Sequence, residues 1–159
     1  EAVGWLNAAA AAHLQRETTA FVADGNGLAL APHLADPAAR SAVLADASRR
    51  LAQARLCRLR GEAFDLRATP DAAPLAVLDR GAIPVFGVAA QGVHLNGLVR
   101  RPDGLHVWIG VRAADKAVAP GKLDNLVAGG LSAGLTPMAC LVKEAGEEAA
   151  FEAELTGSA

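Results

Sequence analysis

The sequence is short of cysteine, of clustered basic charge and of long apolar runs, and each shortage closes off a class of protein. Its two cysteines, Cys57 and Cys140, lie far apart in helix-like stretches. That excludes a disulfide framework and predicts free, buried thiols in a reducing compartment, the cytoplasm. Lys and Arg number 15 against 17 acids, for a net charge of −2, and they are spread along the chain. A general nucleic-acid binder is therefore not expected. No apolar run approaches the ~20 residues of a bilayer crossing, so no membrane partner is expected either. The N-terminal "EAVGWLNAAAAAHLQRE" begins with an acid and has no basic lead, which makes a poor signal peptide. It also lacks an initiator Met, so the chain is expected to be processed or trimmed. Gly129-Gly130 is not followed by the Gly-Lys-Ser/Thr of a P-loop. His94 and His106 share one alternate face of an expected hairpin, but no nearby Cys or second pair supports zinc.

What is present is a chain of 159 residues, 52% of them hydrophobic, enough for one domain or two small ones with a buried core. Residues 1–20 favour helix by Ala content, with Trp5, Leu6 and Leu14 as anchors, and "DGNG" at 24–27 marks a turn. Asp36 as N-cap and Pro37 at the first helical position open a second helix that ends near 55–60. Its apolar residues Val43, Leu44, Ala47, Leu51 and Ala54 recur at helical spacing. The period then changes. Residues 62–68 and 75–81 read as a hairpin, 84–92 as an extended connector, and 93–101 with 105–112 as a second hairpin turning at "PDG". A loop over 113–125 carries Lys116 and Lys122, and 126–130 is a short strand.

The last helix starts at a Thr136 cap and Pro137. Met138, Leu141, Val142, Ala145 and Ala149 form its apolar stripe, while Glu144, Glu147 and Glu148 stand at i, i+3 and i+4 on another face. Like charges so placed each cost a few tenths of a kcal/mol, and Gly146 costs about 1 kcal/mol relative to Ala. A helix selected for stability alone would avoid both. Three carboxylates on one face are a hard-oxygen donor set for Mg²⁺ or Mn²⁺, which would complete its shell with water and phosphate oxygens. A solvated acidic helix end is the other reading.

The spacing around this helix resembles the Nudix box: Gly, five residues, Glu, seven residues, Arg-Glu, an apolar residue, any residue, Glu-Glu, any residue, Gly, apolar. Counted from Gly129, the first Glu position holds Leu135, the Arg position Lys143, and the acidic positions Glu144, Glu147 and Glu148. Ala150 stands at the late Gly and Phe151 at the final apolar position. The stretches "FGV", "GVHLNG", "KAVAPGKLDNLVAGG" and "LVKEAGEEA" resemble more narrowly the thiamine pyrophosphokinase-related branch with an extra N-terminal domain. "WLN", "RGEAFDLRA" and "LDRGAIPVFGV" resemble that extra domain. Members of the branch usually carry a Glu near the Ala139 position, which this chain lacks.

The resemblance implies an α+β chain: a small helix-plus-hairpin domain over 1–86, then the first half of a Nudix-like α/β/α sandwich over 87–159. It implies metal-dependent hydrolysis of a small-molecule diphosphate, thiamine diphosphate or an oxidised form of it, to the monophosphate. Glu144, Glu147 and Glu148 would bind Mg²⁺ or Mn²⁺, and Glu144 or Glu147 would take the proton from the attacking water. Lys143 would orient a carboxylate, and Lys116 and Lys122 would reach phosphate oxygens. The Nudix fold also implies strands and a helix beyond this box, so a fragment, a homodimer or exchanged elements are expected. The alternative is a non-catalytic or truncated domain serving ligand binding or assembly.

Overall fold

The computed structural model describes residues 2–25, 27–116 and 118–157, without the side chains of 155 and 157. In chain order the elements are α1 (Ala8–Glu17), β1 (Phe21–Asp24), β2 (Gly27–Leu30), α2 (Pro37–Gln53), β3 (Ala63–Leu66), β4 (Ala76–Asp79), α3 (Ile83–Phe86), β5 (Gly92–Leu95), β6 (Leu98–Arg101), β7 (Gly104–Val107), β8 (Gly110–Val111), β9 (Leu123–Asp124), β10 (Val127–Gly130), α4 (Pro137–Ala149) and α5 (Ala153–Gly157). The class is mixed α+β, as expected, and compatible with a Nudix-like fold. The chain divides into two compact units: Glu1–Ala90 with Ser132–Gly134, and Gln91–Leu131 with Leu135–Ala159.

In the first unit the helices start where local chemistry says they should. Asp36 accepts a hydrogen bond from the Ala39 N–H at 2.9 Å, and Pro37 opens α2. Leu44, Ala47, Ser48 and Leu51 recur at helical spacing and are buried. Ser48 is tolerated there because its hydroxyl donates to the Leu44 carbonyl at 2.7 Å. β3 and β4 pair antiparallel with Phe64 opposite Leu78 and Leu66 opposite Ala76, so the alternate residues of both strands point inward. These residues join Leu14, Phe21, Val85 and Phe86 in one core. The segment 132–134 adds to β3 through the Ala133 N–H, which donates to the Ala63 carbonyl at 2.8 Å, beside a Phe64–Ser132 bridge.

Three expectations are corrected here. The first helix begins at Ala8, where Asn7 accepts from the Ala10 N–H at 2.9 Å, and Trp5 before it is 86% exposed rather than an anchor. β1 and β2 pair antiparallel with Asp24 opposite Gly27, a hairpin the sequence reading missed. Residues 83–86 are helical rather than extended, since Pro84 at the first turn loses no hydrogen bond there.

In the second unit the long hairpin expected over 93–112 is divided. β5 pairs with β10, β6 with β7, and β8 with β9, all antiparallel. The break falls at Asn96-Gly97, where the Leu126 and Trp108 side chains leave no room for a Cβ on Gly97. β5 then departs to lie against β10 with His94 opposite Ala128. Just past β10 the Leu131 N–H donates to the Gln91 carbonyl at 3.0 Å. By antiparallel alternation, the polar groups of Ala128 and Gly130 therefore point to the opposite edge. Side chains of α4 meet them there. Glu148 accepts from the Ala128 N–H at 3.2 Å, and the Cys140 thiol donates to the Gly130 carbonyl at 3.3 Å. A helix thus satisfies a strand edge that would otherwise be open.

Candidate metal centre

α4 carries every acid of the expected site. Thr136 accepts from the Ala139 N–H at 3.1 Å, and Pro137 follows it, so the helix starts where its cap predicts. Cys140 and Ala145 are the residues it buries. Met138, placed in the apolar stripe by spacing, is instead exposed. The helix ends at Ala150, whose backbone is left-handed at φ 54°. A left-handed C-terminal position is where Gly is least strained, which gives the missing box Gly a physical meaning.

The acids diverge in environment. The Glu144 side chain is only 16% exposed and lies over Gly129, where an added Cβ would collide with its Cγ and Cδ. Glu147 is 60% exposed and accepts from the Lys143 ammonium at 2.8 Å. The same ammonium reaches Glu144 Oε1 at 3.1 Å. Glu147 first, and Glu144 second, hold Lys143 protonated well above the ordinary lysine range. Glu148 turns to the Ala128 N–H. The structure therefore brings Lys143, Glu144 and Glu147 together and sets Glu148 against β10. Among the described residues, no three of His, Cys, Asp and Glu are gathered closely enough to hold a metal ion.

By chemistry alone the donors are of the kind a hard divalent cation takes, since all three groups are carboxylates; as placed, Glu144 fills the space over Gly129 and the Lys143 ammonium lies between Glu144 and Glu147. Lys116 and Lys122 lie on the connection between β8 and β9, and both are exposed. No hydrogen bond among the described residues brings either to α4. The two histidines are on different sheets. His94 Nδ1 is 2.8 Å from Asn125 Oδ1, and Asn125 in turn donates to Asn96 at 2.6 Å. His106 Nε2 is 3.0 Å from Asp103. The division of the long hairpin separates them.

Two groups escaped the sequence reading: Gly129 as the seat of Glu144, and the Ala128 amide as the partner of Glu148. The Gly-Gly pair before the helix was the available signal for the first, while the second depends on strand pairing.

Residues 1–90 match the family model described as Domain of unknown function (DUF4743), more than half of the chain. The chain belongs to that family. Among curated proteins this DUF4743 chain is similar to Nudix hydrolase 20, chloroplastic, of Arabidopsis thaliana, 43% identical over 91 residues, 57% of this chain and 24% of that protein. It is also similar to Nudix hydrolase 24, chloroplastic, of the same plant, 39% identical over 101 residues, 64% of this chain and 28% of that protein. An uncharacterized protein of Saccharomyces cerevisiae is 35% identical over 81 residues, half of this chain and 24% of that protein. The chain thus spans about a quarter of the length of these relatives. The 101-residue similarity is longer than the segment matched by the family model, so it includes residues beyond 90. The chain is related to Nudix hydrolases.

Proposed function

We propose that the chain serves metal-dependent hydrolysis of a diphosphate joined to another moiety, with thiamine diphosphate or an oxidised form of it as substrate. The observation that supports this most is Glu144. A largely sheltered carboxylate is seated over a glycine, one turn from two further acids, in a relative of Nudix hydrolases. Repulsion between sheltered Glu144 and exposed Glu147 is eased by a cation held between them, as the Lys143 ammonium is and a divalent ion would be. In this reading Glu144, Glu147 and Glu148 hold Mg²⁺ or Mn²⁺, which supplies charge neutralisation at the diphosphate and a more acidic bound water. Glu144 or Glu147 accepts the proton of that water, Lys143 orients a carboxylate in the family's manner, and Lys116 and Lys122 reach phosphate oxygens. The division at 86/87 into an N-terminal domain and the beginning of a Nudix domain belongs to the same proposal.

The compartment proposed is the cytoplasm. Cys57 and Cys140 are free thiols, as a reducing environment requires. Among the described residues no helix is long and apolar enough to cross a membrane.

The test is incubation with thiamine diphosphate or oxothiamine diphosphate and Mg²⁺ or Mn²⁺, with monophosphate and phosphate as the readout. Metal-dependent turnover that disappears in Glu148→Gln is the expected result. Turnover no greater than in that variant would overturn it.

A second reading is favoured by one feature. Leu98, Leu105, Trp108, Ile109, Val111 and Leu123 of the second unit are all more than a third exposed. Exposed apolar groups in that number suit an assembly role, with a second copy of the chain as the partner. Sedimentation at rising concentration checks it: a concentration-dependent dimer weakened by Trp108→Ser is expected, and a monomer throughout contradicts it.

A further inference from the structure

We infer that Arg112 is a positioning residue: it latches the loop between β8 and β9, and so sets where Lys116 and Lys122 meet a diphosphate that Arg112 itself does not touch. The inference rests on the diphosphate reading above and adds to it the residue that orders the two lysines.

The loop, residues 113–122, has no large apolar anchor among its described residues. Val118 is 70% exposed, and Lys116 and Lys122 are exposed too. Ala119 at φ 47° and Gly121 at φ 68° have left-handed backbones, which a residue with a side chain keeps only where contacts impose it. Among the described residues, the hydrogen bonds that tie this loop to the chain on either side all involve Arg112. Its N–H donates to the Lys122 carbonyl at 2.9 Å, and its carbonyl accepts from the Gly121 N–H at 3.0 Å, which closes the ends. Its Nε donates to the Val118 carbonyl at 3.1 Å, which holds the middle. Its Nη1 pairs with Asp124 of β9. One planar guanidinium can hold a carbonyl and a carboxylate at once, because its donors point in fixed, different directions. The side chains of Arg112 and Asp124 are only 27% and 23% exposed, so the pair is screened less than one on open surface.

The same latch joins the loop to the strand that α4 covers. Asp124 accepts from the Asn125 N–H at 2.9 Å, and Asn125 donates to Asn96 at 2.6 Å. Asn125 lies just before β10, whose Gly129 seats Glu144 and whose Ala128 amide holds Glu148. The loop is therefore fixed to the same strands as the acids, although neither lysine bonds to α4. Lysines on an ordered loop lose less freedom when an anion binds, so the latch strengthens binding without contacting the ligand.

The test uses the whole chain as wild type, Arg112→Gln, Asp124→Asn, Lys116→Met/Lys122→Met, and that double variant with Arg112→Gln added. Circular dichroism checks that each is folded. A lysine-specific protease under native conditions reads the loop, with cuts after Lys116 and Lys122 assigned by mass spectrometry. Calorimetry with inorganic pyrophosphate and Mg²⁺ reads the binding. Arg112→Gln and Asp124→Asn break the latch from opposite sides, so either alone decides. Each is expected to be cut faster and to bind pyrophosphate roughly threefold or more weakly. Asp124→Asn separates positioning from charge, since loss of a negative charge by itself would tighten an anion. In the lysine-free background Arg112→Gln is expected to weaken binding no further, because it acts through the lysines. Unchanged cutting, faster cutting without weaker binding, tighter binding by Asp124→Asn, or a further loss in the lysine-free background each overturns the inference and leaves the diphosphate reading standing. Latch-dependent binding without turnover of thiamine diphosphate supports the inference and counts against hydrolysis alone. No binding of pyrophosphate by the wild type overturns both.

Discussion

The two units use their apolar residues in opposite ways. In Glu1–Ala90, α1, α2, α3 and three strands bring Leu14, Phe21, Leu44, Leu51, Leu66, Leu78 and Phe86 into one core. In the second unit Val93, Val127, Cys140 and Ala145 are the buried apolar residues among those described, while Leu98, Leu105, Val107, Trp108, Ile109, Val111 and Leu123 are exposed. That unit is tied instead by polar contacts: Glu148 to the Ala128 amide, Lys143 between two acids, and the Arg112–Asp124 ion pair. The part matched by the family model has a core of its own. The part that carries the candidate acids leaves much of its apolar surface uncovered.

The contrast can be broken most forcefully by truncation. Leu51→Ala in the first unit, where Leu51 is fully buried, is expected to cost about 2–5 kcal/mol. Leu105→Ala in the second, at 60% exposure, should change stability by less than about 0.5 kcal/mol. Urea unfolding of both variants measures the difference, and equal costs would erase the contrast. Next in size is Thr136→Ala, which removes the cap of α4 and should cost about 1 kcal/mol by the same measurement.

A smaller effect belongs to Asp124. Arg112 beside it, and then the Asn125 backbone N–H, hold its carboxyl below the usual range. Its folded value is thus depressed below the unfolded ~3.9. The stabilisation is present above that pH and lost as pH falls through the folded value. Arg112→Gln should therefore lower stability at neutral pH by under about 1 kcal/mol and flatten its decline below pH ~4. Unfolding curves between pH 7 and 3 would show it. The smallest effect expected is a gain: Ala150→Gly relieves the left-handed helix end and should add about 0.5 kcal/mol, read as a rise in urea midpoint.

Local chemistry made part of this fold legible. Asp36-Pro37 and Thr136-Pro137 mark their helix starts because capping needs only neighbouring residues. The β3–β4 hairpin was readable because its alternation is uninterrupted on each side of a Pro-containing loop. Residues 93–112 misled because the period of two continues through Asn96-Gly97, whereas the choice of partner for β5 is made by β10, some thirty residues later. β1 and β2 escaped because strands of four residues are too short to show a period of two. At the candidate site the kinds of donor and their shared helix were legible. Their division between Lys143, Gly129 and Ala128 was not, since it depends on which strand edge α4 covers.

The most direct test of the central claim is Mn²⁺ titration of the wild-type chain and of a Glu144→Gln/Glu147→Gln variant, with the free ion followed by EPR. Saturable binding by the wild type that is lost when both carboxylates are neutralised is the predicted result. Superimposable curves for the two proteins would show that these acids are only a solvated helix face.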